Sequence, residues 1–462
     1  MEEQLNNLLY GLAGIVAFAM IASSLRVSLS LKEFDLTAVT VGAVVILPNL
    51  TTTVAVFTGG RIIEADVNFN RVVTYEGMSA SVNQIASPLL AIFLIAVVGY
   101  RSMRLKQFRI SGLIYVSIIM LSALLSFRVM PGAQLTLIFV ALAAATLRGG
   151  NTAAVGAGYA VSMLTALSFI GAFVAPSDAY IPCDARKCGV TGVLFSGIGD
   201  NQNSFGLLMA LGVPFVYLGL RKWNRTLSAF TVLLALASGD RTAQIAALVT
   251  YLVLVACDAR PAGLGRFPRL PILISGTGIS LMVILPLVGL KGESLTGRPY
   301  YWALALARFE DSGLRGYGTD GWRSLVGAGV IPLQAGYSTH NQFVEALFFG
   351  GLIGAVLFGV LVCCIVKNAV NLPLLSIAAI PVIVCGITER PWSLDRIDWM
   401  SWSFVALVLL AHPIGGSSDS VEDKSSGGTI DTMSSRSNSE REGYDAAARR
   451  RFRLGGKSGG LP

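Results

Sequence analysis

The chain has 462 residues, 53% of them hydrophobic and only 13% charged, with a formal net charge of +8. A soluble globular chain carries about 25% charged residues, so this composition excludes a cytosolic enzyme, a nucleic-acid-binding domain or a disordered regulator as the main body. The apolar residues gather in continuous blocks near the ~20 residues a helix needs to cross a bilayer, and they lack the period-two alternation of a β-barrel.

In chain order the blocks run at 8–24, 36–58, 85–100, 110–127, 135–147, 152–175, 203–220, 226–238, 242–256, 271–290, 341–366, 372–388 and 399–412. They predict an all-α, polytopic integral membrane protein of about twelve or thirteen spans, filling residues 1–414. Met1–Asn7 is acidic and polar, without the basic start of a cleavable leader, so the first span is expected to be the targeting signal. The connections at 101–109, at 221–225 and around Arg260, Arg266 and Arg269 are basic, which predicts a cytoplasmic position. This distribution, rather than a nucleic-acid partner, accounts for the positive charge. Alternation then places 176–202, the turn 238–241 and the long segment 291–340 outside, and the N-terminus outside if all thirteen blocks span. Residues 415–462 are rich in Ser, Gly, Asp and Arg, which predicts a disordered cytoplasmic tail. Its Arg449–Arg453 cluster either touches anionic lipid or is simply solvated.

Chemistry is expected on the outer side. The 50-residue segment 291–340 carries Lys291, Arg298, Arg308, Arg315 and Arg323. Such a set suits an anionic ligand, because guanidinium binds phosphate oxygens in bidentate fashion; the alternative is pairing with Glu293, Glu310, Asp311 and Asp320. Thr339-His340-Asn341-Gln342 fits a capping box with Thr339 as N-cap, which would place His340 at a helix start where the dipole disfavours imidazolium. The other histidine, His412, reads as interfacial. Asp240 and Arg241, in Ser238-Gly239-Asp240-Arg241-Thr242, either neutralise each other or serve a site. Asp200-Asn201-Gln202-Asn203 is a helix cap or a line of sugar-binding amides. Cys183 and Cys188 share an external loop, where a local disulfide is favoured over metal binding. Gly350, Gly351 and Gly354 read as a face for close helix packing.

Taken in order, five motifs resemble those of the O-antigen ligase and O-antigen polymerase superfamily of bacterial membrane glycosyltransferases. They are Asp-Asn-Gln-Asn-Ser-Phe-Gly (200–206), Ser-Gly-Asp-Arg-Thr-Ala (238–243), Leu-Thr-Gly-Arg-Pro-Tyr-Tyr-Trp (295–302), Leu-Arg-Gly-Tyr-Gly (314–318) and the Thr-His-Asn-Gln run (339–354). The likeness covers roughly residues 195–370. It implies a glycan carried on undecaprenyl pyrophosphate and moved to a hydroxyl of an acceptor glycan or glycolipid, on the outer face of a bacterial plasma membrane, with inversion and without metal, cofactor or nucleotide sugar. The diphosphate-binding arginines would correspond to Arg241 and Arg298, and the proposed base to His340. Arg315, Arg323, Asn341, Glu345, Asn203 and Glu389 are the further candidates for substrate binding. Ligases often carry two adjacent histidines; here Thr339 precedes His340, and ligase and polymerase both stay open. A different class is a transporter or flippase of lipid-linked sugar, which would want polar groups through the membrane depth and often an internal repeat.

Overall fold

The computed structural model describes residues 2–31, 33–65, 71–103, 110–125, 132–147, 149–183, 188–189, 192–260, 263–291, 294–312, 314–331, 338–394 and 398–411. The expected tail 415–462, His412 and Glu293 lie outside them. The described chain is an all-α polytopic membrane protein. Every apolar block of the sequence falls on a helix: α1 (Glu2–Ser30), α2 (Leu36–Thr58), α3 (Gly77–Ser102), α4 (Ile110–Leu124), α5 (Gly132–Thr146), α6 (Asn151–Val174), then, past a four-residue α7 (Pro176–Ala179), α8 (Gln202–Gly219), α9 (Asn224–Ala237), α10 (Arg241–Ala256) and α11 (Leu270–Leu287). After α12 (Arg298–Asp311) and α13 (Gly321–Gly327) come α14 (Gln342–Asn371), α15 (Pro373–Thr388) and α16 (Trp402–Leu410). Six of these, α1, α2, α3, α6, α11 and α14, contain stretches long and apolar enough to cross a membrane. The others are shorter or, like α8, enclosed by neighbours. Residues 205–219 of α8 are all buried, as expected of a helix that is apolar on every side.

The core is built by close approach of small residues, because lipid gives helices no hydrophobic reason to associate and dispersion contacts must do so. At Gly156 of α6 a Cβ would collide with the Ala38 carbonyl of α2, and these two helices pack side by side.

Two ends of the bundle can be told apart by their pairings. At one end Arg221, in the basic connection after α8, pairs with Glu33 between α1 and α2, and the Gly150 amide before α6 donates to the Leu409 carbonyl at 3.0 Å. The Arg221–Glu33 pair places the α1–α2 connection on the same end as the basic 221–225 turn. The opposite end holds an antiparallel hairpin that hydropathy does not foresee, β1 (Arg61–Ala65) with β2 (Arg71–Tyr75). Buried Arg61 ties it down by donating to the Gly199 carbonyl at 2.6 Å and to the Asp178 carbonyl, and Tyr75 donates to Asp200. Short strand pairs β3 (Tyr180–Ile181) with β4 (Leu194–Phe195), and β5 (Ala259–Arg260) with β6 (Gly263–Leu264), close two connections. Cys183 and Cys188 form a disulfide beside β3.

Gly350 of α14 faces α4, where a Cβ would lie 3.7 Å from Ser122 Oγ, but Gly351 has a different job. Gly351 breaks the helix with φ +64° and ψ −161°, a conformation open mainly to glycine. The carbonyls and amide freed by the break are taken up by the segment 314–318. Tyr317 and Gly318 amides donate to the Phe348 and Phe349 carbonyls at 2.8 and 3.0 Å, and the Leu352 amide donates to the Leu314 carbonyl at 3.1 Å. The long connection 291–340 is thus stitched into the bundle: it contains α12 and α13, and its middle is bonded to a broken helix.

Candidate functional site

The start of α14 differs from the expected capping box. Asn341, not Thr339, is the N-cap: its side-chain oxygen accepts from the Val344 amide at 2.9 Å. Its Nδ2 donates to the carbonyls of Met282 at 3.0 Å and Ile387 at 2.9 Å. One asparagine therefore starts α14, ties it to the last turn of α15, and takes the α11 carbonyl that Pro286 leaves without a helical amide. Gln342 does not reach back to the cap either. It bonds both backbone groups of Trp392, donating to the carbonyl and accepting from the amide, each at 3.0 Å.

Moving the cap by two residues leaves His340 outside the helix, in the left-handed region at φ +51°. Non-glycine residues are uncommon there, and here the surroundings fix it. The His340 amide donates to Ser338 Oγ at 3.3 Å, and its carbonyl accepts from Trp302 Nε1, on α12, at 3.2 Å. The imidazole stands 5.7 Å from the Tyr301 ring, centre to centre. Its Nδ1 lies 3.0 Å from Glu389 Oε2, on the residue that follows α15.

Glu389 is the hub. Its other oxygen accepts from the Arg298 guanidinium, at the first residue of α12. Gly297, at φ +87°, and Pro299 start that helix so that Arg298 turns inward. Among the described residues Arg298 Nε is buried without a hydrogen-bond partner. Burial pushes the Glu389 carboxyl up, but the charge His340 carries when protonated, the charge of Arg298 and the hydrogen bonds of both outweigh burial and hold it well below the usual carboxylate range. It is therefore an anion, and as such it accepts the His340 Nδ1 proton and leaves Nε2 as the ring's open nitrogen.

The next residue makes a second pair. Arg390 donates to Glu345 Oε1 at 2.8 Å, and Thr339 Oγ1 donates to Glu345 Oε2 at 3.2 Å. Glu345 is fully buried, so this candidate for substrate binding is instead an internal brace between α14 and the residues after α15. Asn341, equally buried, is likewise a brace. Glu389 and Arg390 thus grip the two flanks of the site through opposite charges.

Arg241 borders the same corner. Asp240 caps α10, accepting from the Thr242 and Ala243 amides at 2.9 and 3.4 Å, a role that neither reading of the Asp240–Arg241 pair names. Thr242 Oγ1 is 2.8 Å from Thr388 Oγ1, one residue before Glu389. Arg241 itself is exposed, at the positive end of α10. Arg315 and Arg323 are also exposed and make no described contact with His340 or Glu389; Arg315 instead contributes backbone to the joint with Gly351. Arg308 pairs with Asp311 at 3.0 Å, one turn along α12. Asn203 is exposed in the first turn of α8, whose cap is Asn201, accepting from the Ser204 amide at 2.8 Å. Among the described residues no group of three or more His, Cys, Asp or Glu is arranged to hold a metal ion.

Of the residues that matter here, Glu389 ranks low in the sequence and Arg390, Trp302 and Tyr301 carry no individual signal. The one cue is an acid–base pair set between the apolar block 372–388 and Pro391, where charge is costly unless partnered. Compared with known protein families, curated proteins and solved structures, the chain gives no match.

Proposed function

We propose that the His340–Glu389–Arg298 cluster is the transfer centre of a lipid-linked glycan transferase, similar to O-antigen ligases and polymerases, in a bacterial plasma membrane. The observation that supports this reading best is the contact between His340 Nδ1 and Glu389. A carboxylate that fixes one imidazole nitrogen and leaves the other open is the arrangement a general base requires. The reaction would begin with an acceptor hydroxyl donating to His340 Nε2. The hydroxyl oxygen forms its bond to the anomeric carbon while the bond from that carbon to the diphosphate oxygen breaks. The hydroxyl proton passes to Nε2, and the electron pair leaves with the diphosphate. One displacement inverts the anomeric centre. Negative charge grows on the leaving diphosphate, and the exposed Arg241 would meet it, with the positive charge of Arg298 nearby on Glu389. Glu389 then stabilises the imidazolium until the proton is released.

Under this proposal the end carrying the β1–β2 hairpin and His340 faces outward, and the end carrying Arg221 faces the cytoplasm, in keeping with the charge distribution. The test is reconstitution in vesicles with a lipid-diphosphate oligosaccharide and a panel of acceptor glycans and glycolipids, read by mass spectrometry. A new glycosidic bond that wild-type protein forms and His340→Ala does not form supports the proposal. Movement of the lipid-linked sugar across the vesicle without a new bond overturns it in favour of a transporter.

A further inference from the structure

A cavity of about 390 Å³ lies away from His340 at the same end of the bundle, walled by α2, α3, the start of α8 and the residues before α16. Its lining includes Asn49, Thr51, Tyr75, Asn83, Asp200 and Trp399. The volume falls within the ~300–1,000 Å³ of small-ligand sites. What distinguishes it is the state of its polar groups. Among the described residues Asp200 is engaged through one oxygen, by Tyr75. Among the described residues the hydroxyls of Thr51 and Ser204 and the amide of Asn83 make no hydrogen bond. Three helices thus present unused donors and acceptors to one space, with an indole at its side.

The charge of the lining narrows the ligand. Among the described residues Asp200 and Asp398 are its ionisable members apart from Tyr75, and none of those lining it is a cation. Asp398 is already committed, accepting from the Met400 and Ser401 amides at 2.9 Å each and from the Ser393 hydroxyl, which fixes the backbone at Trp399. The neighbouring cation, Arg61, is held by the carbonyls of Gly199 and Asp178. A phosphate or a uronic acid would meet the Asp200 carboxylate directly, while the Arg61 guanidinium spends its N–H groups on the Gly199 and Asp178 carbonyls and does not line the space. An uncharged ligand with hydroxyls that both donate and accept, and with an apolar face for an aromatic ring, meets no such conflict.

We propose that this cavity is a binding subsite for an uncharged pyranose sugar, held by Asp200, Asn83 and Thr51 against Trp399. The proposal deepens the transferase reading and rests on it for the fate of the sugar, though the binding itself does not depend on the chemistry at His340. The connection from α15 to α16 joins the two places, carrying Glu389 at its start and Asp398 and Trp399 near its end. A glycan occupying both would have its charged diphosphate beside arginines and a neutral ring in the cavity, whose described lining holds no cation.

The experiment is saturation-transfer NMR on the full chain in lipid nanodiscs, with the methyl glycosides of glucose, galactose and mannose as neutral probes and methyl glucuronide as the anionic counter-probe. At least one neutral glycoside should bind, the glucuronide should bind more weakly, and Thr51→Val and Asn83→Leu should each weaken the neutral probe about threefold to tenfold, as expected for one lost hydrogen bond. Ser87 also lines the cavity, so the same glycoside should slow modification of Ser87→Cys by an uncharged thiol reagent, a readout independent of the other variants' folding. Absence of neutral binding, equal binding of the glucuronide, or no protection at Ser87→Cys overturns the subsite. His340→Ala should bind the glycoside as wild type does; loss of binding there would place the sugar at His340 and overturn the subsite. If binding and protection persist while the vesicle assay forms no bond, the subsite stands and the transferase reading fails.

Discussion

Glu389 Oε2 sits 3.0 Å from His340 Nδ1 across 49 positions of sequence, and the same carboxylate holds Arg298. The consequence is a division of labour. Arg298 is not simply a free phosphate ligand; it also keeps Glu389 ionised, and Glu389 in turn aims the imidazole. His340→Ala is therefore expected to lower transfer by about 10²–10⁴-fold, the usual contribution of a positioned base. Arg298→Ala should also abolish detectable transfer. Membrane insertion and protein level, followed by immunoblot of membranes, should stay near wild type in both. Normal transfer in both variants would remove the assigned roles.

Acid stability should report the Glu389 carboxylate. Its folded value is depressed, so its contribution is present above the unfolded carboxylate value and disappears as pH falls through the folded one. Thermal unfolding in detergent should show this contribution surviving below the ordinary carboxylate range near pH 4.3. Glu389→Gln should be less stable at neutral pH and should lose less on acidification than wild type. Parallel acid profiles for the two proteins would count against the ion cluster.

The Glu345–Arg390 pair offers a test of structural as opposed to catalytic contribution. Removing one member leaves a buried charge, which costs ~3–5 kcal/mol. Glu345→Gln and Arg390→Leu should each lower the melting temperature sharply, while the double variant should be more stable than either single sum implies. Strict additivity would mean that the two groups do not interact.

Gly351 tests the stitch between α14 and the long connection. A Cβ there would lie 2.5 Å from the Arg315 carbonyl oxygen, and φ +64° is strained for any L side chain. Gly351→Ala should cost about 1–3 kcal/mol, read as a lower melting temperature and faster proteolysis of 314–318. An unchanged cleavage rate would show that the break tolerates a side chain.

Asn341→Ala removes an N-cap, expected to cost about 0.5–2 kcal/mol, together with the bonds to Met282 and Ile387. Because His340 is fixed by its neighbours, transfer should fall further than stability alone accounts for. Asn341→Asp keeps the capping oxygen but not the amide donors, so it should restore the cap and leave the position of His340 loose. Equal activity of Asn341→Asp and wild type would show that the ties to Met282 and Ile387 do not matter for the site.

What the sequence by itself determined is the class of protein and the placement of its helices. Apolar blocks such as 152–175 and 341–366 are long-range-independent signals, because each helix satisfies its own backbone bonds wherever it packs. The same holds for the gathering of charged residues after 291, which is read directly from the chain. Only the tertiary structure decided which charges meet. Glu389, Arg298 and His340 stand on three segments that approach through helix packing, and Arg390 finds Glu345 in the same way; no local periodicity encodes such distances. Local pattern also misplaced the cap of α14, since Thr339 and Asn341 are both good cap residues, and the choice fell to Asn341 because its amide could also reach Met282 and Ile387 on two other helices. The hairpin 61–75 escaped for a related reason: its stability comes from Arg61 and Tyr75 reaching across the chain to the segment before α8.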